Sequence, residues 1–271
     1  MNISEWLRGA TRQLKGIGIE TARLDAELLL AETIRKPRTY LHAHLDEELD
    51  PRRVDIANAR LDLRLDRVPL AYILGKKEFY GRTFVVSPQV LIPRPESEDL
   101  IDVFLEVSAE DIAPHSSLID IGTGSGCLGI TAKLERENIS VTLTDVSKQA
   151  LEVARKNAET LHVNVTLNQQ SLLAGQVEPL TYILANLPYV DESWNTSPEL
   201  RHEPHQALFA EDGGLELIFR LLEQTPRHLQ RNGWLLLEAD PEQHARIVAK
   251  AKEYGLIHQK THGYCIGLRL I

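Results

Sequence analysis

The sequence predicts an α/β protein: a mostly parallel sheet of seven strands with helices on both faces, preceded by a small N-terminal helical bundle. Three observations carry this. The first 75 residues show helical periodicity and no strand pattern. From residue 117 onward, short β-rich runs alternate with helical runs, the pattern of a doubly wound, Rossmann-like sheet. Between the two lies an aromatic, β-branched stretch around a glycine, followed by two closely spaced prolines.

Taken in order, Trp6, Leu7, Ala10 and Leu14 recur at helical spacing. The run D-A-E-L-L-L-A-E-T-I (25–34) is a second amphipathic segment. A third begins at D-P-R-R (50–53). Asp50 suits an N-cap and Pro51 the first helical position, with Val54, Ala57, Leu61 and Leu65 following. Residues 1–75 are therefore expected to form a helical domain. Residues 76–95 read as a β-hairpin and linker. K-K-E-F-Y-G-R-T-F-V-V-S-P (76–88) is a hairpin signal, and the prolines of V-L-I-P-R-P-E-S-E (90–98) forbid a helix until after Pro95. The larger domain is expected over 96–271, opening on the helix D-L-I-D-V-F-L-E-V. Its candidate strands are 117–121, 140–145, 164–168, 182–186, 234–239, 255–261 and 264–270, with helices at 147–161 and 214–225 among them. The last two strands, joined by His262 and Gly263, are expected to be an antiparallel edge pair.

Bulk properties narrow the partners. A formal net charge of -9 repels a phosphate backbone, so nucleic acid is not the expected partner. The two cysteines, Cys127 and Cys265, are far apart and read as buried small hydrophobes in a reducing compartment. No apolar run approaches the roughly 18 residues of a membrane span, and the N-terminus lacks a secretory signal. A cytoplasmic monomer with no membrane contact is expected.

Two motifs carry chemistry. After the run SLIDI comes G-T-G-S-G-C-L-G (122–129), with Gly122, Gly124 and Gly126 each one residue apart, Thr123 and Ser125 between them. Such a loop lets backbone approach a ligand at a helix N-terminus. Asp145 ends the next strand, where a carboxylate can accept from both hydroxyls of a ribose. Gly124, Gly126 and Gly129 also satisfy the dinucleotide fingerprint, so NAD remains open. The form D-x-G-x-G-x-G from Asp120 favours S-adenosylmethionine, with Asp120 setting the loop or approaching the amino-acid end of the cofactor.

The second motif is A-N-L-P-Y-V (185–190), at the carboxyl end of a predicted strand, where ligands of open α/β sheets bind. Pro188 turns the chain outward there. A planar amide or amino nitrogen is a weak nucleophile, and two acceptors can hold its protons. The Asn186 side-chain oxygen and the Leu187 carbonyl suit that task, and Tyr189 offers a flat face for stacking.

The chain resembles the protein-(glutamine-N5) methyltransferases that modify peptide chain release factors, the PrmC/HemK family. The resemblance runs through D-A-E-L-L-L-A, R-V-P-L-A-Y-I-L-G-K-K-E-F-Y-G, V-L-I-P-R-P-E-S-E, D-I-G-T-G-S-G-C-L-G-I, D-V-S-K-Q-A-L-E-V-A-R-K-N-A, N-L-P-Y-V and R-H-E-P-H-Q-A-L-F-A-E-D-G-G-L. It implies a class I S-adenosylmethionine-dependent methyltransferase domain and an N-terminal domain that grips the release factor. It also implies methylation of the glutamine in that factor's Gly-Gly-Gln loop. The site residues it implies are Asn186, Leu187, Pro188 and Tyr189 for catalysis, and Gly122, Thr123, Gly124, Ser125, Gly126, Asp145, Ser171 and Asn186 for the cofactor. No metal is implied. An adenine-N6 nucleic-acid methyltransferase and a ribosomal-protein glutamine methyltransferase share the catalytic half. The acidic charge argues against the first and the N-terminal domain against the second.

The sequence departs from the family pattern in four places. Leu187 stands where the family has a proline, which preserves the carbonyl but frees φ. Ser97 replaces a threonine. Gln170 and Ser171 occupy positions that carry an acid and an aromatic, leaving Leu172 to pack on adenine. Asp240 replaces a glycine in L-E-A-D-P-E-Q (237–243). Arg201, His202 and His205 read as a loop capping the site rather than a metal centre. Arg52, Arg53 and Arg60 read as a solvated helix face.

Overall fold

The computed structural model describes residues 1–110 and 116–271. The chain divides into two units. One comprises Met1–Gly75 with Ser197–His202, the other Lys76–Thr196 with Glu203–Ile271.

The first unit contains α1 (Ile3–Gly16), α2 (Ala22–Ile34), α3 (Arg38–Ala43), α4 (Pro51–Leu65) and α5 (Leu70–Leu74). A capping box opens α1: the Asn2 side chain accepts from the Glu5 N–H and the Glu5 carboxylate from the Asn2 N–H, each at 2.9 Å. Asp50 caps α4 and Pro51 begins it, as its sequence predicts. Ile3, Leu7 and Leu14 meet Leu29, Leu30 and Leu61 in one core. Burial of each such side chain is worth about 1.5–3 kcal/mol. Arg53 and Arg60 are not the expected solvated face. They donate to the Thr33 carbonyl and Oγ1, both at 2.8 Å. The carbonyls in the last turn of α2 lack intrahelical donors; Arg53 supplies one to the Thr33 carbonyl, while Arg60 ties the Thr33 hydroxyl. The segment Ser197–His202 is held here by polar groups. Glu199 accepts from Arg64 at 3.2 Å and Arg67 at 3.1 Å, and Arg201 and His202 donate to the Asp66 carbonyl.

The second unit opens with the hairpin of β1 (Lys76–Phe79) and β2 (Arg82–Val85). Tyr80 and Gly81 both have positive φ, as a two-residue turn of the I′ type requires. There follow α6 (Glu98–Glu110), β3 (Ser117–Ile121), α7 (Cys127–Glu135), β4 (Ser140–Asp145), α8 (Lys148–Thr160), β5 (Thr166–Gln169) and β6 (Leu180–Ala185). A short turn, α9 (Glu211–Gly214), precedes α10 (Glu216–His228), β7 (Leu229–Glu238), α11 (His244–Lys252), β8 (Leu256–His262) and β9 (Cys265–Leu270). No helix among the described residues is long and apolar enough to cross a membrane.

The seven-stranded sheet has the order β5-β4-β3-β6-β7-β9-β8. Every neighbour pair is parallel except those of β9, which is antiparallel to both β7 and β8. The last two strands form the expected antiparallel pair at the edge of the sheet, with β9 next to β7 and β8 outermost. β5 begins two residues later than the sequence suggests, and β7 five residues earlier, through a pairing of Leu180 with Leu229. Both cysteines are buried and free. The chain leaves β3 for β4 on one side and reaches β6 on the other. The crevice at their carboxyl ends is the switch point where open sheets bind ligands.

Candidate active site

Three strand ends converge on one cleft. The loop after β3 carries Gly122, Gly124 and Gly126 at φ of 69°, 53° and 82°. A side chain on Gly122 would press on Leu187 Cδ2 at 3.3 Å. One on Gly126 would stand 2.8 Å from Ile130 Cδ1 and 3.2 Å from Ala154 Cβ. Gly122 thus keeps the cleft open, and Gly126 lets α8 pack on the start of α7. Thr123 and Ser125 are buried and serve the loop from within. Thr123 Oγ1 donates to Asp120 Oδ2 at 2.6 Å, and the Ser125 carbonyl accepts from Asn157 Nδ2 at 2.8 Å. Asp145, ending β4, accepts from the Gly124 N–H at 3.0 Å and the Ser147 N–H at 2.8 Å. These bonds fix a carboxylate at the cleft wall.

Asp120 sets the loop and does not reach the cleft. It is fully buried, and its Oδ2 takes Thr123 Oγ1 and the Gly129 N–H, while Oδ1 has no partner among the described residues. Burial pushes its pKa from 3.8 to about 6. The folded state therefore holds this proton more tightly than the unfolded chain. The associated stability is present below pH 4 and is lost as pH rises through 6, about 3 kcal/mol in all. Asp120→Asn removes this titration while keeping an oxygen acceptor. Its stability relative to the parent, from denaturant midpoints between pH 4 and 8, is expected to rise with pH. A pH-independent difference would contradict the assignment.

Asn186 follows β6 directly, and its Nδ2 donates to Ser97 Oγ at 3.0 Å. Leu187 is buried in the apolar cluster beneath the sheet, so side-chain packing anchors the loop where the family pattern has a proline ring. Tyr189 donates its hydroxyl to Glu238 Oε1 at 3.1 Å, and its carbonyl accepts from Gln243 Nε2 at 2.8 Å. The same Gln243 nitrogen reaches the Gly213 carbonyl at 2.8 Å, which ties the Tyr189 loop to the turn before α10. Asp240 has a local role: it accepts from the Glu242 N–H at 2.9 Å and turns the chain into α11. Burial, then the neighbouring Glu238 carboxyl, push the Tyr189 phenol far above its ordinary pKa.

Gly122, Gly124, Asp145, Ser171, Asn186, Leu187 and Pro188 line the cleft, together with Gln170 and Leu172. Thr123, Ser125, Gly126 and Tyr189 are not among the lining residues. Sequence reasoning missed Val90, Leu91, Gln206, Ala207 and Leu217, which also line the cleft. It also missed Glu238, a carboxylate only 2% exposed at the end of β7. A glutamate closing the apolar run W-L-L-L-E was the available signal. Gln170 Nε2 donates to the Leu172 carbonyl at 2.9 Å, so it closes its own loop, and Leu172 sits there at a φ of 48°. Arg94 pairs with Glu203, whose other oxygen accepts the Ile92 N–H at 3.0 Å, so both ends of this pair brace the linker. His205 lies exposed, 3.4 Å from Glu192.

A fixed carboxylate, glycine amides and the apolar faces of Val90, Leu172 and Leu187 suit an adenosine-bearing ligand. Two family models match: the PrmC N-terminal domain over residues 5–75 and the methyltransferase small domain over residues 97–266. A release factor glutamine methyltransferase from Koribacter versatilis is 37% identical over 255 residues, covering 89% of each chain. A bifunctional methyltransferase from Rickettsia bellii is 33% identical, covering 96% of this chain but only 52% of that protein, so this chain spans about half its length. The crystal structure of a methyltransferase from Pyrococcus furiosus superposes with a TM-score of 0.50 over 71% of this chain and 90% of that one. At 21% identity that likeness concerns the fold, which is the class I methyltransferase fold. With both domains matched and a relative aligned over nearly its whole length, the chain belongs to the release factor glutamine methyltransferase family.

Proposed function

We propose that this protein transfers a methyl group from S-adenosylmethionine to the side-chain amide nitrogen of the glutamine in the Gly-Gly-Gln loop of a peptide chain release factor. The observation that carries the proposal is the pinned Asn186 amide. With Nδ2 given to Ser97, Oδ1 is the atom left to meet a substrate N–H at the cleft. The Leu187 carbonyl is the second acceptor, and together they aim the nitrogen and stabilise the positive charge that grows on it. Bound S-adenosylmethionine would supply a methyl already activated on a sulfonium, so no strong base is required before attack, and the displaced amide proton leaves to water. Gly122, Gly124, Asp145 and Ser171 would hold the cofactor, with Thr123, Ser125 and Gly126 supporting the loop. Pro188 keeps the strand end open, and Tyr189 is held beside it by Glu238 and Gln243.

Residues 1–75 form the release-factor-binding domain, 76–95 the hairpin and linker, and 96–271 the methyltransferase domain. The protein acts as a cytoplasmic monomer. The net charge of -9 favours a protein over a nucleic acid as substrate. Labelled methyl from S-adenosylmethionine is expected on a purified release factor, and changing the loop glutamine of that factor to alanine is expected to abolish it. Label on DNA, or on the factor irrespective of that glutamine, would overturn the proposal.

A further inference from the structure

Glu238 is a buried carboxylate that the scheme above leaves without a task. It ends β7, the strand beside β6, and Ala185 pairs with Leu237. The next residues along the two parallel strands, Asn186 and Glu238, therefore stand side by side. Glu238 is 2% exposed and Ser97 is 2% exposed, so water does not complete their bonding. Tyr189 donates to Glu238 Oε1, while Oε2 has no hydrogen bond among the described residues. Glu238 does not line the cleft, whereas Asn186 does.

An asparagine amide can be turned either way at almost no steric cost, and only its hydrogen-bonding neighbours choose. With the oxygen toward the cleft, Asn186 accepts a substrate N–H. With the nitrogen toward the cleft, it would set two donors against two donors, and the substrate amide would be repelled. Ser97 alone does not decide, because a hydroxyl both donates and accepts. A carboxylate only accepts. Next to Glu238, the favoured arrangement turns the Asn186 nitrogen inward and leaves the Ser97 proton for the carboxylate.

We infer that Glu238, acting through Ser97 and beside Asn186, is the positioning residue that fixes which face of the Asn186 amide meets the substrate. Ser97, Tyr189 and Asn186 all favour the charged form of Glu238, against the larger opposing effect of burial. The inference rests on the reading of Asn186 as a substrate acceptor, but its test has an arm that needs no substrate.

The variants are Ser97→Ala, Ser97→Thr, Glu238→Gln and the double variant Ser97→Ala/Glu238→Gln. Glutamine at 238 keeps the shape but can present a donor to the Asn186 nitrogen. Ser97→Ala and Glu238→Gln are each expected to lower kcat roughly 10- to 100-fold, with KM for the release factor little changed. The double variant is expected to be no worse than the poorer single one, because both act through one amide. Ser97→Thr keeps the hydroxyl and retains most turnover. In a sample labelled with 15N-asparagine, the Asn186 side-chain signal is identified by its loss in Asn186→Ala. Its protons are expected to exchange slowly in the parent and faster in Ser97→Ala and Glu238→Gln. Unchanged exchange in both variants overturns the inference, as do multiplying kcat losses or an equal loss in Ser97→Thr and Ser97→Ala. A parent protein that fails to label the release-factor glutamine counts against the proposed function, while the exchange measurement still decides the role of Glu238.

Discussion

Asn186→Ala is expected to lower methyl transfer by roughly 10²- to 10³-fold, the cost of removing one preorganised group that meets charge developing in a transition state. Cofactor affinity is expected to stay close to that of the parent. The physical reason is a division of labour within the cleft. Asp145 and the glycine loop hold their geometry through bonds to one another, and none of those bonds involves Asn186. Asn186 is tied instead to Ser97. Removing its side chain therefore takes away an acceptor for the substrate amide and leaves the cofactor wall standing. Calorimetric titration with S-adenosylmethionine, beside single-turnover transfer to the release factor, separates the two. Retained turnover in Asn186→Ala would refute the two-acceptor scheme, and a parallel collapse of cofactor affinity would show that Asn186 is chiefly a cofactor ligand.

Gly214→Ala is expected to be the most damaging single-methyl change in the catalytic unit. Gly214 has a φ of 81°, which already strains an alanine. The added Cβ would lie 1.9 Å from the Tyr189 carbonyl oxygen, 2.5 Å from its carbon and 2.7 Å from Gln243 Nε2. Two of these atoms are backbone, so no rotamer change relieves the clash. The Tyr189 loop would have to move away from Gln243, taking Pro188 and Leu187 with it. Strain and overpacking together are worth about 3–4 kcal/mol, or a fall in Tm of roughly 10 °C for a domain of this size. Gly175→Ala is the control. It has a comparable φ of 88° but open space around the new carbon, so it carries the backbone strain alone. Scanning calorimetry of the two variants decides. A Gly214→Ala protein that melts no lower than Gly175→Ala would show that the turn yields easily and that Tyr189 is not clamped there.

Both effects involve residues that a one-dimensional reading values very differently. Asn186 is visible in the sequence because it breaks a local pattern: a polar residue and a proline close an apolar run. The strands 117–121 and 140–145, the glycine loop and the Asp50 cap are visible for the same reason. Each is encoded within a few residues, through backbone preference and the side chains exposed on one face. Gly214 sits in E-D-G-G-L, where glycine reads as an ordinary turn. That it must be glycine depends on Tyr189, some 25 residues earlier, a separation that only folding closes. Glu238 is similar. Its burial could be guessed from its strand, but the groups that surround it, Ser97 on one side and Asn186 and Tyr189 on the other, come from two segments far from it in the chain.

The sequence by itself determined the fold class, the helical and α/β halves, the strand ends that carry the glycine loop, Asp145 and Asn186, and the family to which the chain belongs. Those features follow from short-range periodicity and from motifs whose residues are neighbours in the chain. Only the tertiary structure decided that β9 enters between β7 and β8, that Ser197–His202 joins the helical unit, that Arg53 and Arg60 serve the end of α2, and that Glu238 lies beside Asn186. Strand order, ion pairing and the orientation of a side-chain amide are settled by which distant groups meet once water is excluded. That competition leaves no periodic trace in the chain.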